Sequence, residues 1–448
     1  MPALIRLLTI ALLLVGWRDA SSHAIAGQFV TFVQRDGLAG AVDAPPARIS
    51  ARGRHVVFAS YARLLPQDTN NVRDVYICDL WTGQLTLESP GVRGTVANGD
   101  SSSPGISGDG RYVVFVSSAG NLADMQIPPG MPRVFLRDRE TQTTRLLVTS
   151  AIGDPANGYS SHPAISADGT TIVFESAATD LVDGARAAGK TVGVYLIRRS
   201  SGAPVRLNVS SAGDVPAGQS VSPTVSGDGR YVAFMSRADL TCAGEPACPR
   251  ESRDGNGVAD VYLRDTATNI TTRVSRGYSG RDSNGPSYDP AMSGDGRYVA
   301  FVSEASNLTR DASRHAANVY VRDMVTGVTE LVSRNPSGRQ ANGPSVHPAV
   351  SHDGSTVAFQ SLASDLLCQD RCQTGQRDIN LVSDVFVHDR RTRRTIRASA
   401  DGGEEWMEGS RAPSLDETGH VMVFTSRHPL NDHDQAHDED LYVRLAKP

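Results

Sequence analysis

The chain has 448 residues, with 44 lysines and arginines against 49 aspartates and glutamates, a net charge of −5, 42 glycines and 24 prolines. This composition excludes collagen, coiled coil and a charged disordered tail, and the acidic balance offers no general basic field for a phosphate backbone, so nucleic acid is not an expected partner. Lys190 and Lys447 are the only lysines, an arginine bias that reads as a bacterial, GC-rich coding preference.

In chain order, Arg6 precedes the apolar run Leu7 to Trp17, and Ala24-Ile25-Ala26 supplies an A-x-A cleavage signal. This pattern predicts a signal peptide over residues 1–26, with the mature domain spanning 27–448. Eleven apolar residues fall short of the about 20 that cross a bilayer, and no later stretch approaches that length. No cysteine follows the run, so a lipoprotein anchor is not expected. The expected location is the periplasm or the exterior, as a soluble monomer. The next element is a strand-like segment, Phe29 to Val33.

One phrase then returns seven times. Its clearest copies run from Pro223 to Ser236 and from Pro290 to Ser303, each containing Ser-Gly-Asp-Gly-Arg-Tyr-Val-Ala-Phe. The anchors Ser50, Ser107, Ser166, Ser226, Ser293, Ser351 and Asp416 recur about every 60 residues. The two longest intervals carry cysteine inserts. Cys242 with Cys248, and Cys368 with Cys372, sit close enough in sequence for local disulfides in an oxidising compartment. Cys78 is left over in the strand-like run Val75 to Cys78 and is expected to be a buried, inert thiol.

Within each unit an Asp-Gly or related pair separates two β-rich runs, strands A and B, a strong hairpin signal. A third run such as Val319 to Asp323, then Thr326-Gly327, then Thr329 to Ser333, gives strands C and D around a second tight turn. No sustained 3.6-residue periodicity occurs. The expected fold is all-β, a seven-bladed β-propeller. The chain stops at the strand-C run Leu441 to Arg444, with no strand D after it. Phe29 to Val33 resembles the D runs Leu146 to Thr149 and Thr271 to Ser275, so the N-terminal strand is expected to complete the C-terminal blade, leaving no open edge.

The Ser-Gly-Asp-Gly-Arg-Tyr-Val-Ala-Phe units, followed by Asp-Val-Tyr-Leu-Arg-Asp at 260 to 265, resemble the PD40, or WD40-like, repeats of TolB-type bacterial propellers across nearly all of the mature chain. The chain departs from TolB in lacking room for an N-terminal α/β domain and in having seven blades rather than six. It also lacks the Gly-His and Trp-Asp signature of WD40 repeats. The resemblance implies an envelope or secreted scaffold and binding protein; some propellers with similar repeats are enzymes, including oligogalacturonate lyases and the propeller parts of peptidases.

Recognition is expected where the D-to-A and B-to-C connections converge. The residue before the strand-A proline stands at the channel mouth: Ser103, His162, Ser222, Asp289, His347 and Ala412. His162, His347 and Asp289 have the chemistry to hold a divalent metal or to act as acid and base, or else to serve as hydrogen-bonded rim residues. The B-to-C connections repeat Asp-x-Asn-x-x-x-Asp at Asp68/Asn70/Asp74, Asp254/Asn256/Asp260 and Asp378/Asn380/Asp384, with a looser form at Asp434/Asp438/Asp440. Such oxygen ligands suit calcium, and the same residues also suit Asx turns that launch strand C. Trp406, in the acidic loop Asp401 to Glu408, is a candidate contact for a cationic or carbohydrate partner. The serines ending strand B (Ser60, Ser117, Ser176, Ser236, Ser303, Ser361 and Ser426) are too regular for a nucleophile and read as repeat structure.

No nucleophile elbow, HExxH, P-loop or dinucleotide fingerprint occurs. The expected function is a binding or scaffold module for an envelope or extracellular protein or glycan, needing no cofactor other than possible calcium. The alternative is a metal-assisted carbohydrate-active enzyme at the channel mouth.

Overall fold

Turn chemistry sets the first hairpin of each repeat. In the second repeat, Ser107 Oγ donates to Asp109 Oδ1 at 2.6 Å and accepts from the Tyr112 N–H at 2.9 Å, while Gly110 takes a left-handed φ of 77°. The serine hydroxyl thereby staples both ends of a five-residue loop, 107–111, between strand A (Ser101–Ile106) and strand B (Tyr112–Ser117). An isolated Asp-Gly pair signals a two-residue hairpin; the serine staple explains why the loop is longer. Ser226 with Asp228 and Ser351 with Asp353 repeat the device.

Strand C (Arg133–Asp138) pairs antiparallel with B, and strand D (Thr143–Leu146) with C. The D strands start directly after the C-to-D turn, earlier than the apolar run Leu146 to Thr149 suggests. Seven such four-stranded sheets make up the molecule, which is a seven-bladed β-propeller. This computed structural model describes residues 30–33, 47–150, 152–182, 191–241, 254–310, 316–367, 382–399, 409–427 and 440–445. The signal segment, the four insert cysteines, Trp406, Asp378, Asn380, Asp434 and Asp438 lie outside the described residues. No helix among the described residues is long and apolar enough to cross a membrane.

Two repeated contacts hold each sheet. A strand-B Phe stacks on a strand-C Tyr or Phe in all seven blades, with centroids 5.8 to 6.4 Å apart, as in Phe115 on Phe135 and Phe234 on Tyr262. In blades two to seven the strand-B serine accepts from a strand-A serine, as Ser117 does from Ser101 at 3.0 Å and Ser303 from Ser287 at 2.9 Å. All are buried, which accounts for their recurrence.

Between blades the apolar residues divide into seven clusters, one for each interface. One cluster joins Val423, Leu441 and Val443 of the seventh blade to Ile49, Val56 and Phe58 of the first. The A-to-B turns are also linked from blade to blade by backbone bonds, among them Gly227 N–H to Gly294 O at 2.8 Å, His352 N–H to Glu417 O at 2.9 Å and Glu417 N–H to Ala51 O at 2.9 Å. In the seventh sheet, Val30–Val33 lies antiparallel to Asp440–Leu445, with Val30 opposite Val443 and Thr31 opposite Tyr442. Cys78, on strand C of the first blade, is free and buried, and burial pushes its thiol up to about 12.

Candidate functional site

The channel mouth is built from one backbone irregularity used six times. Strand A of each blade contacts strand A of its neighbours, so these strands line the axis. At the third residue of strand A the register with strand B shifts, and that residue adopts a left-handed conformation: Ser103 (φ 49°), His162 (47°), Ser222 (55°), Asp289 (53°), His347 (51°) and Ala412 (54°). A proline follows each one. Six non-glycine residues held in this region, each costing of the order of 1 kcal/mol, are retained only where the surrounding structure over-determines them. The bulge frees their side chains and N–H groups from the ladder.

Two of the blade junctions show what the freed groups do. His162 Nδ1 lies 2.7 Å from Glu175 Oε1 of its own strand B, and Glu175 Oε2 accepts the Ser222 N–H of the next blade at 3.0 Å. Asp289 Oδ2 receives both the N–H of His347, at 3.0 Å, and its Nδ1, at 2.9 Å. Of the three, Asp289 and His347, bulge residues of adjacent blades, touch, whereas His162 is two blades from Asp289 and pairs with Glu175. Among the described residues no three His, Cys, Asp or Glu side chains come together as a metal set.

The hydrogen bond that His162 makes to Glu175 raises the His162 pKa against burial, and the bond to Asp289 does the same for His347. Burial opposes ionisation of Glu175, but the His162 bond and charge and the Ser222 N–H outweigh it and lower its pKa. A raised histidine pKa stabilises the fold below the unfolded value of 6.5, and that contribution is lost as pH rises through the folded value. His347→Gln is therefore expected to lower the melting temperature more at about pH 5.5 than at about pH 8.5. Melting curves across that range check it, and an equal loss at both ends refutes the pairing.

Arg48, on strand A of the first blade, completes the channel. Its charge lowers the pKa of both His162 and His347, and Asp289 acts on it in turn, so it faces side chains from the third, fifth and sixth blades. Arg48 is reached by solvent yet enclosed by protein, and burial holds its pKa below the ordinary arginine value. Its guanidinium has no hydrogen-bonded or ion-paired partner among the described residues. Arg411 also faces His347. Neither Arg48, Arg411 nor Glu175 was singled out by sequence. A signal existed for Arg48: the residues at its repeat position are Gly105, Ala164, Thr224, Ala291, Ala349 and Ser414, all small.

The Asp-x-Asn-x-x-x-Asp loops lie at the start of strand C. In the fourth blade Asp254 Oδ1 and Asp260 Oδ2 lie 3.2 and 3.9 Å from Arg273 Nη1, and Asn256 Nδ2 donates to Asp260 Oδ2 at 2.7 Å. In the sixth, Asp384 Oδ2 lies 3.7 Å from Arg397 Nη1. A guanidinium stands here where a cation was expected. In the first blade Asn70 Nδ2 donates to the Ala97 carbonyl, and burial pushes the Asp74 carboxyl up to about 6, against the pull of Ser89 and Asn70. A separate polar cleft of about 380 Å³, lined by His352, Asp353, Glu417 and His420 among others, opens at the A-to-B turns of blades six and seven.

No protein-family model and no curated protein matches the chain. Among solved structures it is similar to an oligogalacturonate lyase from Vibrio parahaemolyticus, at 15% identity and a TM-score of 0.51, over 94% of this chain and 97% of that one. A second oligogalacturonate lyase, in complex with manganese, is 12% identical with a TM-score of 0.50, over 90% and 91%. TolB from Acinetobacter baumannii is 14% identical with a TM-score of 0.41, over 82% and 67%. The two lyase likenesses bear on the fold alone and agree with the propeller architecture.

Proposed function

We propose that the protein is an exported binding module that takes an acidic group of a protein or glycan ligand at the channel mouth. The observation that carries this is Arg48: a guanidinium enclosed by the ring, without an ion-paired partner among the described residues, flanked by two imidazoles whose pKa values are raised. A guanidinium that the chain leaves without a carboxylate partner is available to pair with one from a ligand, and the rigid ring loses little freedom on binding. Glu175 and Asp289 hold the imidazoles and supply acceptors for ligand hydroxyls.

A metal-assisted lyase is the weaker reading, because each imidazole already has its own carboxylate and no three-residue donor set forms among the described residues. The test is calorimetric titration with oligogalacturonate, an acidic glycan, and with a neutral oligogalactose of equal length. Binding of the acidic chain is expected to weaken with salt and to fall about tenfold or more in Arg48→Gln. Equal affinity for the neutral chain, or an unchanged Arg48→Gln, would overturn the assignment.

A further inference from the structure

Blades one to six form an internal comparison, and among these six one blade breaks a charge rule. The buried position opening strand C, opposite the last strand-B serine, holds Asp74, Asp260, Asn318 and Asp384 in blades one, four, five and six. The strand-D residue paired with the strand-C aromatic is Leu87, Arg273, Leu331 and Arg397 in the same blades. Blades four and six match aspartate with arginine, and blade five matches asparagine with leucine. Only the first blade of these sets aspartate against leucine. Blades two and three have no acid at this place, where Arg133 and Gly193 stand.

The consequence is visible atom by atom. In the first blade Tyr76 Oη donates to Asp68 Oδ2 and Ser89 Oγ to Asp74 Oδ1, as Tyr262 does to Asp254 Oδ2 and Ser275 to Asp260 Oδ1 in the fourth. The remaining oxygens, Asp68 Oδ1 and Asp74 Oδ2, are the counterparts of the two that face Arg273 Nη1. Both are sealed from solvent without a hydrogen bond, on residues 4% and 1% exposed. Leu87 ends at Cδ, three atoms short of the guanidinium nitrogens. Ala97, at the place of Ser283, has no hydroxyl to donate, whereas Ser283 Oγ donates to Asp260 Oδ1 at 2.9 Å. Two neighbouring buried carboxylates, each with one oxygen left without a hydrogen bond, are costly unless a cation sits between them.

We propose that the first blade binds a hard divalent cation of the calcium type between Asp68 Oδ1 and Asp74 Oδ2, at the place filled by the Arg273 guanidinium in the fourth blade. Oxygen-only ligands select a hard ion, two carboxylates neutralise a double charge, and backbone carbonyls and water complete the shell. The site is structural: it ties the B-to-C connection to the start of strand C.

The test uses the full mature chain stripped with chelator, with calcium uptake followed by equilibrium dialysis and stability by thermal melting. Wild type is expected to take up one calcium that Asp68→Asn abolishes, with a melting temperature about 2 °C or more higher in calcium than in chelator. Leu87→Arg, which builds the fourth-blade arrangement into the first, is expected to match calcium-loaded wild type in chelator and to lose the calcium response. If Asp68→Asn fails to fold, Leu87→Arg decides alone. The proposal is overturned if wild type takes up no calcium and melts identically with and without it, or if uptake persists unchanged in Leu87→Arg.

Discussion

Replacing Arg273 with leucine is expected to destabilise the propeller by about 3–5 kcal/mol, the scale for removing one partner from a buried charge cluster. Arg273 is among the largest fully buried side chains and faces Asp254, Asp260 and Asp282 together. Without it, Asp254 and Asp260 keep their charges in a place that water does not reach. The protonated form of Asp260, whose pKa burial already raises, is then favoured in the folded state, so the variant binds more protons folded than unfolded and its stability falls as pH rises. Acidification should therefore recover part of the loss, and adding Asp260→Asn should recover part of it at neutral pH, because a neutral amide needs no counter-charge. Urea melts of the single and double variants at two pH values check this. A single variant within experimental error of wild type would mean that the guanidinium contributes nothing net to the cluster.

The fold was legible because the chain repeats itself. Seven anchors with one spacing give the blade count, and the recurring Asp-Gly and Thr-Gly turns give four strands per unit. The rim was legible as far as the residue before each strand-A proline, but its pairing was not. Which side chain meets His162 depends on Glu175, which sits on strand B where other repeats carry Val116, Met235 and Val302. A lone acid in a column that is otherwise uncharged, with Gln360 and Thr425 beside the apolar residues, was a usable signal, as was Arg48 in a column of small residues. Both are invisible to a search for motifs along the chain, because Glu175 meets His162 across two strands of one blade and Arg48 meets its neighbours across blades. The acidic loops show the converse. Their spacing is the same in blades one and four, yet Arg273 on a strand about 15 residues away in sequence changes what they require. Motif spacing reports ligands; only the strand-C to strand-D register reports whether the chain already supplies the cation.

Removing residues 1–33 is expected to leave the ring closed but to lower its melting temperature by several degrees and make it self-associate. Two arrangements join the last blade to the first without the N-terminal strand: the apolar cluster containing Val423, Leu441, Ile49 and Phe58, and the Glu417 N–H bond to Ala51 O. These should preserve the circular stack and its sheet signal in circular dichroism. The truncation instead strips the partner from Asp440–Leu445, whose backbone pairs with Val30–Val33 in the intact chain. That edge would present unpaired N–H and carbonyl groups on the outside of the molecule, a template for strand addition by another copy. A synthetic peptide spanning 27–33 should occupy the edge in trans, restoring the melting temperature and returning the truncated chain to a monomer on size exclusion. A truncated chain that stays monomeric with an unchanged melting temperature would show that the pairing carries no stabilising load. A truncated chain that loses its sheet signal would show the opposite, that the shared sheet and not the packing of blade seven on blade one holds the circle.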